Sequence, residues 1–278
     1  MKLGINIRNW GPHATPENLS ACAQIADRST LNSIWLNDHI GFPPPGWNNE
    51  FGLSGDMGAI LDPLSVLTYL AGVTQRISLG TGVLIIPYRP KLLTAKWLAT
   101  IQVLSNERMM MGIGPGWMAE EFTALGVDRS KRGKITDETL EFLHRAFDNE
   151  SVVENGQELI LNPRPKRPPF LIGGAPHIAI PRALRVGDGW IPVGILPEEL
   201  KPLVESSTQQ ATDLGRPPLE TVVMKTLPLE NPAQAIEMAT AYRDAGATHF
   251  VHTQDYSDAS DYQKIVDQMT GVIQPAVT

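Results

Sequence analysis

The amino-acid sequence predicts an α/β fold, a closed (β/α)8 TIM barrel, and three observations carry that expectation. Short β-type runs alternate with longer helical ones along the whole chain, giving eight strands and at least eight helices. Parallel neighbours joined by right-handed crossovers need about 250 residues to close such a barrel, which this length supplies. Two consecutive strands between Arg76 and Trp117 end in small residues, at Thr81-Gly82 and at Gly112, Gly114 and Gly116. Glycine costs backbone entropy, so its recurrence at one end of both strands suggests a shelf where the chain bends or a flat ligand comes close. An open doubly wound sheet is the rival architecture. With no repeat of fixed period and no interdomain linker, residues 1–278 read as one domain.

The elements follow in order. Leu3–Ile7 is a first strand, and Pro16–Arg28 a helix with Leu19, Cys22, Ala23 and Ala26 on one face. Ser33–Leu36 is the second strand, followed by a Pro-, Gly-, Asn- and Trp-rich loop from Asn37 to Met57. That loop exceeds the usual length in a compact domain and is a candidate lid, stiffened by Pro43, Pro44 and Pro45. Leu61–Thr74 is helical, with Leu64, Leu67, Leu70 and Ala71 at i, i+3 and i+4 spacing. Ile77–Ile86 is the third strand, Lys91–Leu104 a helix and Arg108–Ile113 the fourth strand. Two helical segments, Ala119–Leu125 and Lys131–Phe147, precede a hairpin over Val152–Leu161 that turns at Asn155-Gly156. The later strands are Phe170–Ile172, Gly189–Val193, Thr221–Leu227 and His249–Thr253. Their helices are Ala179–Val186, Glu198–Leu214, Pro232–Ala245 and Tyr262–Ile273.

Composition narrows the function classes. The chain is 42% apolar and 19% charged, ordinary for a globular protein with a sizeable core. A net charge of -7 without a Lys/Arg block argues against nucleic-acid and anionic-membrane partners. Cys22 is the only cysteine, which excludes an intramolecular disulfide or cysteine metal cluster and fits a reducing cytosol. The opening MKLGINIRNW is broken by Asn6 and Arg8 and makes a poor signal peptide. The longest largely apolar run, Ile77 to Tyr88, is too short for a membrane helix, so a cytoplasmic protein is expected.

In a barrel of this kind the active site lies at the carboxyl ends of the strands. The first two strands deliver Asn6, Arg8, Asn37, Asp38 and His39 there, and the third Thr81, Gly82 and Val83. The fourth delivers Gly112 to Trp117 and the fifth Gly173 to His177. Trp190, Lys225, His252 and Thr253 come from the last three. This lining is mostly glycine and neutral polar groups, better suited to a large, flat cofactor than to a metal or a sugar bisphosphate. Asp38-His39 is the acid–base candidate, because a carboxylate beside a histidine can orient it or raise its pKa. The alternative is that Asp38 caps the loop while His39 bonds backbone. Gly173-Gly174-Ala175-Pro176-His177 opens a helix whose amino-terminal N–H groups would hold phosphate, the alternative being an ordinary turn. Gly112-x-Gly114-x-Gly116 has the wrong spacing for a dinucleotide fingerprint. Glu120, Glu121 and Arg132 are candidates for a salt bridge pinning the loop after strand four. Lys225 is a Schiff-base alternative. No HExxH or GxSxG motif occurs, and His13, His144 and His249 show no metal-ligand spacing.

Three segments together resemble one family: LDPLSVLTYLAGVTQRISLGTGVLIIP, AKWLATIQVLSNERMMMGIGPGWMAEEFTALGV with the following Arg132-Gly133, and PFLIGGAPHIAIPRALRVGDGWIP. They are similar to the bacterial-luciferase-like monooxygenases, and most to the short branch often assigned to the 5-deazaflavin coenzyme F420. The similarity runs from Lys2 to about Pro192 and weakens after it. It implies a barrel holding F420, or alternatively FMN, at the carboxyl rim, with a non-proline cis peptide after strand three, here Gly82-Val83. It implies that His39 moves a proton with Asp38 as its acidic neighbour. The cofactor would be held by Thr81, Gly82 and Val83, by Gly116, Trp117 and Glu121, and by a phosphate loop of Gly173, Gly174 and Ala175. The expected activity is hydride transfer to, or oxygenation of, a small organic substrate, with a separate flavin reductase if FMN is used. A non-catalytic flavin-binding barrel is the alternative. A homodimer built from the helices Leu61–Thr74, with Leu64, Leu67 and Leu70, and Lys91–Leu104, with Leu92, Leu93, Trp97, Ile101 and Leu104, is expected, Trp97 being its best single probe and inward packing of all these groups the alternative. Pro115 inside the strand-four turn and the lack of a long late insertion depart from the family pattern.

Overall fold

A computed structural model of the chain describes residues 1–44, 47 and 58–278. Most of the expected lid, including Pro45, lies outside the described residues. Eight parallel strands close on themselves, so the open-sheet alternative falls. They are β1 (Lys2–Asn6), β2 (Ser33–Leu36), β3 (Ser78–Ile85), β4 (Met109–Gly114), β7 (Phe170–Gly173), β8 (Gly189–Ile191), β9 (Glu220–Lys225) and β10 (His249–His252). The circuit runs β1-β10-β9-β8-β7-β4-β3-β2 and back to β1. Between β4 and β7, β5 (Ser151–Glu154) and β6 (Gln157–Ile160) form the expected antiparallel hairpin outside the barrel.

The helices follow their strands: α1 (Pro16–Arg28), α2 (Pro63–Val73), α3 (Lys91–Leu104), α4 (Ala119–Ala124), α5 (Arg132–Asp148) and α6 (Pro176–Val186). Then come α7 (Pro197–Asp213), α8 (Pro232–Asp244), α9 (Ala259–Gln268) and α10 (Gln274–Val277). Proline opens α1, α2, α6, α7 and α8, where its missing N–H has no intrahelical partner to lose. Thr15, Asp62, Asn231 and Asp258 accept first-turn N–H groups as side-chain caps. The helix expected to begin at Ala179 starts at Pro176, so the Gly173-Gly174-Ala175 turn abuts it directly.

Two apolar layers result. One lies between the strands and the helices. The other fills the barrel: Trp35, Leu171, Ile191, Val222 and Val251, with Val83, Met110 and Met224 against them. The indole of Trp35 fits because β1 and β3 present glycine to it. A Cβ on Gly4 would lie 2.8 Å from its Nε1, and one on Gly80 2.5 Å from its ring. Several glycines read as a ligand shelf are thus explained by packing. A Cβ on Gly112 would overlap the Thr81 carbonyl, and one on Gly114 would meet Val83 at 2.5 Å.

The dimer expectation needs one correction. Leu64, Leu67 and Leu70 of α2 and Ile101 of α3 are buried inside the protomer, because they form the stripes facing the barrel. The apolar groups left exposed on these helices include Tyr69, Leu93, Trp97 and Leu104.

Candidate functional site

The carboxyl ends of five strands enclose a cavity of about 420 Å³. Its wall comprises Asn37, Asp38 and His39 after β2, Gly82, Val83 and Ile85 from β3, and Gly114 to Trp117 after β4. Gly173 and Gly174 after β7, and Ile191 and Val193 at β8, complete it. The Gly82-Val83 peptide is cis, as the resemblance implied, and the β3–β4 register shifts between Thr81 and Leu84. This bulge brings Val83 into the cavity wall.

Histidine 39 has a different carboxylate from the one expected. Its Nδ1 lies 3.1 Å from Glu121 Oε2. Tyr88 O–H donates to the same oxygen at 2.7 Å, and Ile40 N–H donates to Oε1 at 2.5 Å. Burial pushes the Glu121 carboxyl up, but His39, Tyr88 and the Ile40 N–H outweigh it and hold the group below its ordinary value. Occupying Nδ1 leaves Nε2 of His39 as the nitrogen for the cavity.

Local sequence explains why Glu121 arrives there. Gly116, at φ +82, turns the chain after β4, and Phe122 on α4 seats against Ile85 and Tyr88. The Tyr88 and Phe122 rings meet edge to face at 5.0 Å. With Phe122 anchored in that cluster, the preceding Glu121 is delivered to His39. The expected Glu120–Glu121–Arg132 bridge does not form: Glu121 is taken by His39, Glu120 accepts from Trp47 Nε1 at 2.8 Å, and Arg132 donates to the Arg129 carbonyl.

Asp38 is turned away from His39. Arg89 grips it with both terminal nitrogens, at 2.6 and 2.8 Å, and Ile85 N–H donates to it at 2.8 Å. Burial raises the Asp38 carboxyl, and these donors oppose that push. The nearby Asp62 carboxylate adds to the upward push, so the group stays above its ordinary value despite its three donated bonds. Arg89 also reaches Asp62, the cap of α2, at 2.7 Å, tying the β2 rim to that helix.

Of the other expected site residues, Gly82, Val83, Gly116, Trp117, Gly173 and Gly174 share the cavity wall with Asp38 and His39. Thr81 does not: it is fully buried and its hydroxyl donates to the Gly112 carbonyl. Glu121 lies behind His39, and Ala175 sits at the N-cap of α6. Gly174 holds φ +138 with only Ala179 near a would-be Cβ, at 3.7 Å. Its glycine is demanded by conformation, not by crowding. Lys225 lies over the Tyr242 ring, 5.8 Å from its centre, outside the cavity wall. Tyr88 and Arg89 were missed by sequence reasoning, because a buried cation and a buried phenol in PYRP look like loop residues. Trp47 stacks on Trp117 with ring centres 6.0 Å apart, and Trp117 stands edge-on to His39 at 5.9 Å.

The arrangement suits a flat cofactor with a phosphate. It offers a bulged strand and glycine turns along one wall, an oriented imidazole, and the Ala175 and His177 N–H groups at the head of α6, where Pro176 has no N–H and those of Ile178 and Ala179 donate to the Ala175 carbonyl. Among the described residues, no helix is long and apolar enough to cross a membrane.

Comparison with known proteins gives the family and the fold. The profile of a family described as luciferase-like monooxygenase matches residues 1–271. Monooxygenase RslO1 from Streptomyces bottropensis superposes with a TM-score of 0.82 at 18% identity, covering 100% of both chains. An F420-dependent secondary alcohol dehydrogenase, solved with an F420-acetone adduct, gives 0.78 at 16% identity over 100% of this chain and 99% of that one. The oxygenating constituent of 3,6-diketocamphane monooxygenase from Pseudomonas putida, solved with FMN, gives 0.77 at 12% identity over 100% and 99%. At these identities the structural likeness speaks for the fold.

Proposed function

Because the chain belongs to the luciferase-like monooxygenase family, we propose that it is a single-domain oxidoreductase using a reduced flavin-type cofactor, the deazaflavin F420 ahead of FMN. The observation that carries this reading is the carboxyl-rim cavity in which His39, held at Nδ1 by Glu121, faces the bulge at Gly82-Val83. The turn Gly173, Gly174 and Ala175 with the head of α6 would hold the phosphate, through the Ala175 and His177 N–H groups, since the Gly174 N–H donates to the Ile191 carbonyl at 3.3 Å. Gly82 and Val83 would back the ring, and Gly116 and Trp117 would flank it. When bound, the cofactor supplies a hydride to the substrate, or, as FMN with a reductase partner, the electrons for oxygenation.

The chain's own residues do the rest. His39 Nε2 gives or takes the proton at the substrate oxygen, and Glu121 sets the tautomer by occupying Nδ1. Asp38 has a positioning role, fixing the rim through Arg89. A non-catalytic flavin-binding barrel would not need an imidazole oriented by a dedicated carboxylate, so the His39–Glu121 pair favours an enzyme. A cytoplasmic homodimer through the exposed face of α3 completes the reading. Equilibrium titration of the purified protein with FMN and with the deazaflavin tests it. Submillimolar binding of at least one, followed by substrate-dependent turnover of the reduced form, is expected, and binding of neither would overturn it.

A further inference from the structure

The cavity wall also says what kind of substrate it takes. Among the described residues, the wall holds two ionisable groups, and both are matched internally: Asp38 by Arg89 and His39 by Glu121. The remaining side chains in the wall are apolar apart from Asn37: Val83, Ile85, Pro115, Trp117, Ile191 and Val193. Arg8 and Lys225, at other strand ends, lie outside this wall: Arg8 donates to the Tyr256 carbonyl and lies 3.6 Å from Asp255, its buried Nε left without a hydrogen-bond partner, and Lys225 lies over Tyr242. The long loop from Asn37 to Met57 contains no lysine or arginine anywhere in its sequence. Away from the backbone N–H groups assigned to the cofactor phosphate, a carboxylate, sulfonate or phosphate on the substrate would therefore lose its water without gaining a counter-charge, which is strongly unfavourable. An ammonium group would likewise find the wall's carboxylate already bound.

One edge of the cavity, by contrast, lacks an apolar neighbour. Val193 belongs to the wall yet is 69% exposed. Ile178 in the first turn of α6 and Leu196 at the head of α7 are also exposed on the same carboxyl face. Of these, Val193 stands at the cavity itself, where an exposed apolar side chain is a surface that a ligand can cover.

We infer that the substrate is a neutral, largely apolar organic molecule with one hydrogen-bonding oxygen, seated against Val193 and Ile191 with that oxygen toward His39. This rests on the proposed function, which places the cofactor along the glycine wall and leaves the β8 side for the substrate.

The test is a titration of the cofactor-loaded protein by calorimetry, with cofactor occupancy followed separately by its own visible absorbance. Cyclohexylmethanol, cyclohexanecarboxylate and cyclohexylamine are the isosteric probes, and cyclopentanol, cyclohexanol and cycloheptanol the homologous series. The neutral alcohol should bind at least tenfold more tightly than either ion. Affinity should rise about fourfold per methylene. Val193→Lys should tighten carboxylate binding at least fivefold while leaving cofactor occupancy unchanged, and Val193→Ala should weaken every neutral probe. Equal binding of charged and neutral probes, or indifference to both Val193 substitutions, would overturn the inference. If neither cofactor is retained, the functional reading fails alone. The same titrations on the cofactor-free protein then decide the inference by the same criteria.

Discussion

Replacing Arg89 with methionine isolates the role of Asp38. Arg89 is 6% exposed at its side chain and Asp38 is 0% exposed. The substitution keeps the bulk of the stem but removes both guanidinium bonds to Asp38, at 2.6 and 2.8 Å, and the bond to Asp62 at 2.7 Å. Asp38 is then left with the Ile85 N–H alone around a side chain that has no solvent exposure. Removing one partner of a buried pair costs about 3–5 kcal/mol, because the other charge stays buried and uncompensated. At about 2–4 °C per kcal/mol for a chain of this size, the melting temperature should fall by about 6–20 °C. Calorimetric unfolding of Arg89→Met, Asp38→Asn and the double variant at pH 7 is the assay. The double variant should recover much of the loss, since it removes the stranded charge as well. A loss below about 1 kcal/mol for Arg89→Met would refute the assignment of Asp38 to the structure of the rim. So would a double variant as unstable as the sum of the two singles.

Four other outcomes are expected. His39→Ala should lower turnover about 10²–10⁴-fold with cofactor affinity nearly unchanged, checked by steady-state rates and cofactor titration. Gly174→Val should weaken cofactor binding, since any side chain is strained at φ +138 and would crowd the phosphate approach; a melting curve confirms that the variant is folded. Burial depresses His249 to about 3 and His252 to about 4, so both stay neutral in the folded chain while the unfolded chain binds their protons below about 6.5. Stability should therefore fall as pH drops from 6.5 toward 4, by about 1.4 kcal/mol per pH unit for each histidine, and unfolding midpoints that stay flat across that range would contradict this. Light scattering at micromolar concentration should give twice the 30.4 kDa of one chain, and Trp97→Glu should give a monomer.

The barrel was legible in the sequence because alternation of period-two and helical runs survives in every unit, and because proline and side-chain caps mark the helix starts. The site was legible only in part. His39 and the Gly173-Gly174 turn stand out as residue types in telling places. The partner of His39 does not, since Glu121 lies 82 positions away and reaches it only because Phe122 packs into the Ile85–Tyr88 cluster. The partner of Asp38, Arg89, is hidden for the same reason. Adjacent residues after a strand diverge in direction, so Asp38 meets Arg89 while His39 turns toward the cavity. Glycines on strands three and four suggested a ligand shelf, yet Gly82, Gly112 and Gly114 are crowded by Met224, the Thr81 carbonyl and Val83. No one-dimensional pattern separates room made for a neighbour from room made for a ligand.

The most direct measurement is a crystal structure of the protein with the flavin-type cofactor it retains. The phosphate should lie within hydrogen-bond distance of the backbone N–H groups at Ala175 or His177. The ring should rest against Gly82-Val83 with His39 Nε2 facing the substrate side. A phosphate bound elsewhere, or a ring lying outside the carboxyl-rim cavity, would contradict it.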